Sequence, residues 1–368
     1  MFEKTGYPNF MQAVSHVIDQ KWLDVLIQSI QQPVIDGVDL PGFPPDQFQR
    51  NSVGSSGKTA LEEIFPFYCE IKRYANELGL RITQDSHILD FGCGWGRIIR
   101  FFLKDILADN LYGIDVDTEM IGLCKKLFGY GNFSVCNPLP PTEFPDNSFD
   151  IVFAYSVFSH LAEPVHIKWI QEFPRILKPG GILVATTEAR HFIEFCRSLR
   201  GKKHDSEYYN GLADSFVDTE ATLADYDNGK FLFSATGGGS ARPSSFYGEA
   251  IIPRRYIERE WTRYLEFRDF VDDRSLSFQA MVVMQKPFAD FKKHSEIQPK
   301  VKTGDTRLNQ LETRLHFLEA ALIQRNSDVK RMESLLNEKE TTLNNIYKSR
   351  VWKALLICCR LMDKVLGR

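Results

Sequence analysis

The chain has 368 residues, 43% of them hydrophobic and 12% aromatic, which is enough apolar material for a buried core and excludes a disordered polypeptide. A formal net charge of −3 supplies no global basic field, which argues against nucleic acid as a partner of the main body. The seven cysteines show neither CxxC nor Cys/His spacing, so they fit buried free thiols in a reducing compartment better than a disulfide framework or a zinc site.

Residues 1–60 open without a basic stretch followed by an apolar core, and no run of about 18 apolar residues occurs anywhere, so a cytoplasmic protein without a membrane span is expected. A helical pattern lies in "FMQAVSHVIDQKWLDVLIQSI", and the Pro/Gly/Ser-rich "QQPVIDGVDLPGFPPDQFQRNSVGSSGKT" reads as a long loop. Its "GSSGKT" is no phosphate loop: Ser52 stands where the motif needs glycine, and no strand precedes it.

A main domain is expected over 61–288, where helical periodicity resumes at "ALEEIFPFYCEIKRYANELGL" and apolar strand-like runs then alternate with helical ones. "HILDFG" reads as a buried strand, "CGWGR" as a turn, "IIRFFLKDI" as a helix, and "NLYGIDV" as a second strand ending in Asp115. A strand, a glycine turn, a helix and then an acid about twenty residues on make a nucleotide-type site, because bare backbone admits a bulky ligand and a carboxylate can accept from both ribose hydroxyls. Gly92, Gly94 and Gly96 are spaced G-x-G-x-G rather than GxGxxG, which weakens a dinucleotide reading and favours a ligand without phosphates.

"LDFGCGWGR", "GIDV", "FPDNSFDIVFAYSVFSHL" and "RILKPGGILVATT", in this order, resemble the motifs of class I S-adenosylmethionine-dependent methyltransferases over roughly residues 60–288. The resemblance implies an α/β, Rossmann-like, seven-stranded and mostly parallel sheet with helices on both faces, closed by the pair "YLEFRDFVDD" and "SFQAMVVMQKP". It also implies S-adenosyl-L-methionine as cofactor. Asp90 would then hold the methionine amino group, Gly92, Gly94 and Gly96 would give backbone room, and Asp115 would bind the ribose, with Asp117 as competitor. Asn137 would contact adenine, and Ser156 and Phe158 would wall the sulfonium side; Phe91 and Trp95 are expected to pack.

Methyl transfer to a hydroxyl needs alignment and removal of one proton. His160, just past the fourth strand, and Glu188, at the end of the fifth, are the candidate bases; a local hydrogen bond or cap for the first and a capping or solvated carboxylate for the second are the bland alternatives. The Gly/Ser/Tyr/Arg-rich "SATGGGSARPSSFYGEAIIPRRYIEREW" reads as a mobile acceptor lid and resembles the same region of methyltransferases from bacterial surface-polysaccharide pathways. Tyr247, Glu249 and Arg254 are its acceptor-contact candidates. The expected activity is O-methylation of a sugar, lipid-linked glycan or polysaccharide end, with a small-molecule or protein acceptor, or a scaffold with a weak or inactive domain, as alternatives. No metal is expected.

Residues 289–304 read as a polar linker. Leu308, Leu311, Leu315, Leu318, Leu322, Val329, Met332, Leu336, Leu343 and Ile346 share one heptad frame, so 305–347 reads as a coiled coil making a homo-oligomer, with Arg325 and Lys339 as polar breaks. Residues 348–368 carry Lys348, Arg350, Lys353, Arg360, Lys364 and Arg368 against Asp363, with Trp352, Leu355, Leu356, Met362 and Leu366 on an apolar face. A basic amphipathic helix suits an anionic membrane surface or a protein partner.

Overall fold

The computed structural model describes residues 14–204, 206–238 and 242–288. They belong to one compact unit spanning residues 1–293. The expected linker, coiled coil and basic helix lie outside the described residues.

In chain order the helices and strands are α1 (Asp19–Gln28), α2 (Asp46–Val53), α3 (Gly57–Glu77), β1 (Ile88–Phe91), β2 (Leu111–Asp115), α4 (Thr118–Phe128), β3 (Asn132–Val135), β4 (Phe149–Ala154), α5 (Glu163–Ile176) and β5 (Leu177–Thr187). Three helices follow, α6 (Arg190–Leu199), α7 (Glu207–Ala213) and α8 (Thr219–Asp227), then a short hairpin of Leu232–Ser234 with Glu249–Ile251. The unit closes with α9 (Arg254–Glu260), β6 (Glu266–Val271) and β7 (Ala280–Gln285). The seven-stranded sheet runs in the order β3-β2-β1-β4-β5-β7-β6, with β7 antiparallel to both neighbours and the other pairings parallel.

Strand alternation divides the core. Ile88, Ile151, Phe153, Ile182, Val184, Met281 and Val283 point to one face, beneath Trp22 and Leu26 of α1 and Leu61, Ile64 and Phe67 of α3. Their neighbours Leu89, Val152, Leu183, Val282 and Met284 face Trp169, Ile170 and Phe173 of α5 and Tyr256 and Ile257 of α9. Helices therefore cover both faces, which is why the central strands read as continuous apolar runs.

Three expectations need correction. The segment after the glycine turn is a 3-10 helix, Ile99–Lys104, with all six residues buried beneath the first helices, so no amphipathic 3.6-residue stripe is selected. The supposed loop contains α2 and a two-residue hairpin, Val34–Ile35 with Val38–Asp39, turned by Asp36 (φ 50°) and Gly37 (φ 78°). A boundary at residue 60 has no counterpart in the packing: α3 begins at Gly57, and Trp22 of α1 is buried in the main core and donates to the Phe101 carbonyl at 2.8 Å.

Candidate functional site

The site forms at the C-terminal ends of β1, β2, β4 and β5, where an open parallel sheet leaves its crevice. After β1 the chain turns through Gly92 (φ 78°), whose N–H donates to the Ile114 carbonyl at 2.8 Å. A Cβ on Gly92 would stand 2.3 Å from Val157 Cγ2. Gly94 (φ 52°) has no atom within 4 Å of the corresponding position, and its N–H donates to Asp115 Oδ2 at 3.0 Å. Gly96 has another role: a Cβ there would meet the Phe128 ring at 2.4 Å, so it is required for packing against α4 rather than for ligand room.

Asp90 is buried at the end of β1, and its Oδ2 has no hydrogen-bond partner. Burial, with the nearby Asp115 charge, holds its carboxyl well above the usual range. Asp115 accepts from Asp117 N through Oδ1 at 2.9 Å and from Gly94 N through Oδ2, and burial raises it as well. Each oxygen keeps a second lone pair for a ligand hydroxyl. Asp117 is otherwise engaged: it caps α4 by accepting from Glu119 N and lies 3.7 Å from Arg242.

A cavity of about 100 Å³ lies against this turn, with Gly92, Asp115, Cys136, Ser156, Trp169 and Tyr247 in its wall. Cys136 and Pro138 line it, whereas Asn137 is exposed between them and outside the wall. Ser156 has φ 57° and donates its N–H to Thr186 Oγ1 at 2.7 Å. Phe158, expected in the wall, is instead fully buried against Phe91, Phe173 and Trp261 in the α5-side core. Phe91 and Trp95 both pack, Trp95 against Phe43 and the Arg100 guanidinium.

His160 stacks on Tyr247, with ring centroids 4.9 Å apart and planes 14° apart. Its Nδ1 lies 2.9 Å from the Gly248 carbonyl, which can only accept, so Nδ1 carries the proton and Nε2 is bare, 3.3 Å from Ser156 Oγ. Burial, seconded by the positive charge of Arg242, pushes its pKa down to about 4. It caps no helix: the N-cap of α5 is Ala162, without a side-chain hydrogen bond.

Glu188 is only 4% exposed, so it is no solvated carboxylate, and Ala189 rather than Glu188 occupies the N-cap of α6. Gln279 Nε2 donates to its Oε1 at 2.8 Å, its Oε2 is unpartnered, and burial pushes it up to about 8. Glu249 is 2% exposed and is likewise raised to about 8, by burial and then by Glu188.

The expected mobile lid is in part a built strand: Gly248 N donates to His160 O at 2.8 Å and Ala250 N to Ser159 O at 2.7 Å, with Ala250, Ile251 and Ile252 fully buried. Tyr247 thus lines the cavity and Glu249 sits behind it. Arg254 is an exposed residue of α9, paired with Glu258 at 2.7 Å and lying over Phe267, and it is not brought to the site. The sequence reading missed Gln279, whose Nε2 also reaches Ser156 Oγ (3.1 Å) and Ser159 Oγ (3.2 Å) while its Oε1 accepts from Thr186. Its signal was an amide immediately before the apolar run 280–284. Arg242, near Asp117 and over Tyr247, was also missed.

Residues 89–185 match the family model described as a methyltransferase domain. Among curated proteins the chain is 35% identical over 123 residues to Probable methyltransferase ltbC of Aspergillus luteorubrus, covering 30% of this chain and 43% of that protein. It is 35% identical over 129 residues to the sterol 24-C-methyltransferase erg6 of Aspergillus fumigatus, covering 32% of each. The chain spans less than half the length of either relative. A solved S-adenosylmethionine-dependent methyltransferase from Clostridium acetobutylicum is similar with a TM-score of 0.43 at 13% identity, over 66% of this chain and 96% of that one. Over residues 89–185 the chain is thus similar to methyltransferase domains.

Proposed function

We propose that this chain is an S-adenosylmethionine-dependent methyltransferase that methylates a hydroxyl of a sugar, lipid-linked glycan or polysaccharide end by direct in-line displacement. The observation that carries the cofactor assignment is the unpartnered Oδ2 of buried Asp90 beside the open face of Gly94 and the paired oxygens of Asp115. An ammonium would satisfy the first, and ribose hydroxyls would take the free lone pairs of the last. When bound, S-adenosylmethionine supplies an electrophilic methyl group.

The chain's residues then have to align an acceptor oxygen and receive its proton. His160 suits that step at neutral pH, because its buried ring is neutral and Nε2 is unprotonated 3.3 Å from the Oγ of Ser156, a cavity-wall residue. Glu188, raised to about 8, can receive a proton only in its minor ionised form near neutral pH and is therefore the second candidate. Tyr247 and Glu249 remain proposed acceptor contacts. Tyr208 and Tyr209 on α7 are 51% and 42% exposed and offer aromatic faces of the sort against which sugar rings pack. The test is transfer of labelled methyl from the cofactor into a panel of glycan fractions, small molecules and proteins: label in a glycan fraction is expected, and label confined to small molecules or protein would overturn the glycan acceptor.

The heptads of 305–347 and the basic stretch of 348–368 support a further proposal, a homo-oligomer whose clustered tails bind an anionic membrane or a protein. Truncation at Gly304 should lower the oligomeric order in light scattering while cofactor binding persists, and full-length protein should sediment with anionic liposomes at low salt. Among the described residues no helix is long and apolar enough to cross a membrane.

A further inference from the structure

Behind the cofactor cavity lie two buried acids with nothing of opposite charge to face. Glu188 stands at the end of β5 and Glu249 on the strand that bridges to it, where Glu188 pairs with Ile251 in parallel register. Each keeps one carboxyl oxygen, Oε2, buried and without a hydrogen-bond partner. Glu188 is bonded to the Gln279 amide, and Glu249 to the side chain of Thr236. The other groups facing them are a neutral imidazole (His160, Nδ1 3.6 Å from Glu249 Oε2), the phenols of Tyr208 and Tyr247, and the thiol of Cys196.

No lysine or arginine of the described residues pairs with either acid. Arg242 lies over the Tyr247 ring near Asp117, and Arg200 is taken up by the carbonyls of Ala213, Ser215 and Phe216 and by Thr219. Buried carboxyls are ordinarily paired or fully hydrogen-bonded, because an uncompensated one costs several kcal/mol or stays protonated. A neutral pair of amides would serve a purely uncharged ligand without that cost.

The acids are wired to the cofactor cavity. Gln279 Nε2 spans from Glu188 Oε1 (2.8 Å) to Ser156 Oγ (3.1 Å), and Ser156 and Tyr247 are both wall residues. Tyrosine rings near the acids also favour a positive charge through their faces. Among the described residues no group of three or more His, Cys, Asp or Glu converges as metal ligands would, which points to an organic cation.

We propose that Glu188 and Glu249 form a subsite for a compact organic cation beside the cofactor cavity, either the ammonium of a small organic ligand or the sulfonium of the cofactor itself. The sulfonium source rests on the methyltransferase reading; the ammonium source does not. Entry of the cation ionises the pair and releases protons to solvent, since burial, seconded at Glu249 by the charge of Glu188, holds the carboxyls protonated at neutral pH.

The test uses the full chain and its Glu188→Gln and Glu249→Gln variants, each nearly isosteric and each checked by thermal melting. In the first arm, S-adenosylmethionine and neutral S-adenosylhomocysteine are titrated calorimetrically in two buffers of different ionisation heat. In the second, 2-aminoethanol and ethylene glycol are titrated by NMR, with and without S-adenosylhomocysteine. A sulfonium subsite gives about tenfold or greater preference for the charged cofactor, with more protons released than S-adenosylhomocysteine releases, and both differences fall to within about twofold in the two variants. An ammonium subsite gives saturable binding of 2-aminoethanol but not ethylene glycol, lost in both variants. Equal affinity within each probe pair, or a cation preference that survives both substitutions, overturns the proposal. If neither cofactor form binds, the methyltransferase reading fails, and 2-aminoethanol binding without cofactor still decides for or against the ammonium subsite.

Discussion

The backbone N–H of Gly94 donates to Asp115 Oδ2 at 3.0 Å, tying the turn after β1 to the end of β2. Asp115 therefore does two things: it closes the wall of the cavity and presents its remaining lone pairs to a ligand.

That double role separates two substitutions. Asp115→Ala leaves the N–H groups of Gly94 and Asp117 without their acceptor, so it should destabilise the fold by about 1–3 kcal/mol as well as weaken cofactor binding by about 2–3 kcal/mol. Asp115→Asn keeps one acceptor oxygen and should spare more of the stability than of the affinity. Melting and calorimetry on the two variants check this; unchanged affinity in both would remove Asp115 from the binding site.

Gly96→Ala should act in the opposite sense. With φ at 78° and the Phe128 ring 2.4 Å from where the alanine methyl would stand, the added carbon costs about 2–4 kcal/mol of stability. Cofactor affinity of the fraction that remains folded should change little. A denaturant titration reads the first quantity and calorimetry at low temperature the second.

His160 should keep one neutral tautomer across the physiological range. With Nδ1–H held by Gly248 O and the pKa pushed down to about 4, nitrogen NMR should show Nδ1 protonated and Nε2 bare from pH 8 to about 5. The acceptor at Gly248 is a backbone carbonyl, so no side-chain substitution mimics its loss; His160→Gln should lower methyl transfer by roughly a hundredfold while cofactor affinity holds. Titration near the ordinary histidine value would show that the ring is not held in this way.

Stability should fall as pH rises from 6.5 to 8. Glu188 and Glu249 have folded pKa values raised from 4.5 to about 8, so over this window the unfolded chain has lost protons that the fold retains, and each acid removes about 1 kcal/mol per pH unit. Asp90, raised by burial and by Asp115, acts in the same direction. His160 and His166, lowered to about 4 and about 3, act oppositely but only below their unfolded value of 6.5. Replacing both glutamates by glutamine should flatten the decline in melting temperature; an unaltered slope would mean that the two acids are ionised in the fold.

The sheet was legible because strands buried on both faces read as apolar runs bounded by glycines and acids, as in "HILDFG" and "GILVATT". Asp90, Asp115 and Ser156 were legible for the same reason, since each ends or follows such a run. What escaped depends on backbone angles and distant contacts. The positive φ of Ser156 turns the chain so that Val157 lines the cavity and Phe158 enters the core, the reverse of the expected wall. At the end of β3 the lining falls to Cys136, whose N–H continues the ladder to Asp115 O, and leaves Asn137 outside. Arg254 belongs to an exposed i, i+4 pair with Glu258 on α9. Gln279 meets Ser156 across 123 positions of sequence, a proximity that no local pattern encodes.

Calorimetric binding of S-adenosylmethionine in two buffers decides whether Asp90 and Asp115 hold the cofactor at this turn. Saturable binding at one site per chain is expected, with a proton released as the cofactor ammonium ionises buried Asp90, and affinity that therefore rises with pH. Asp90→Asn should remove the proton released at that carboxyl and weaken binding at least about tenfold. No saturable binding up to about 1 mM cofactor, or full-strength binding by Asp90→Asn with as many protons released as in the parent chain, would remove Asp90 from the site.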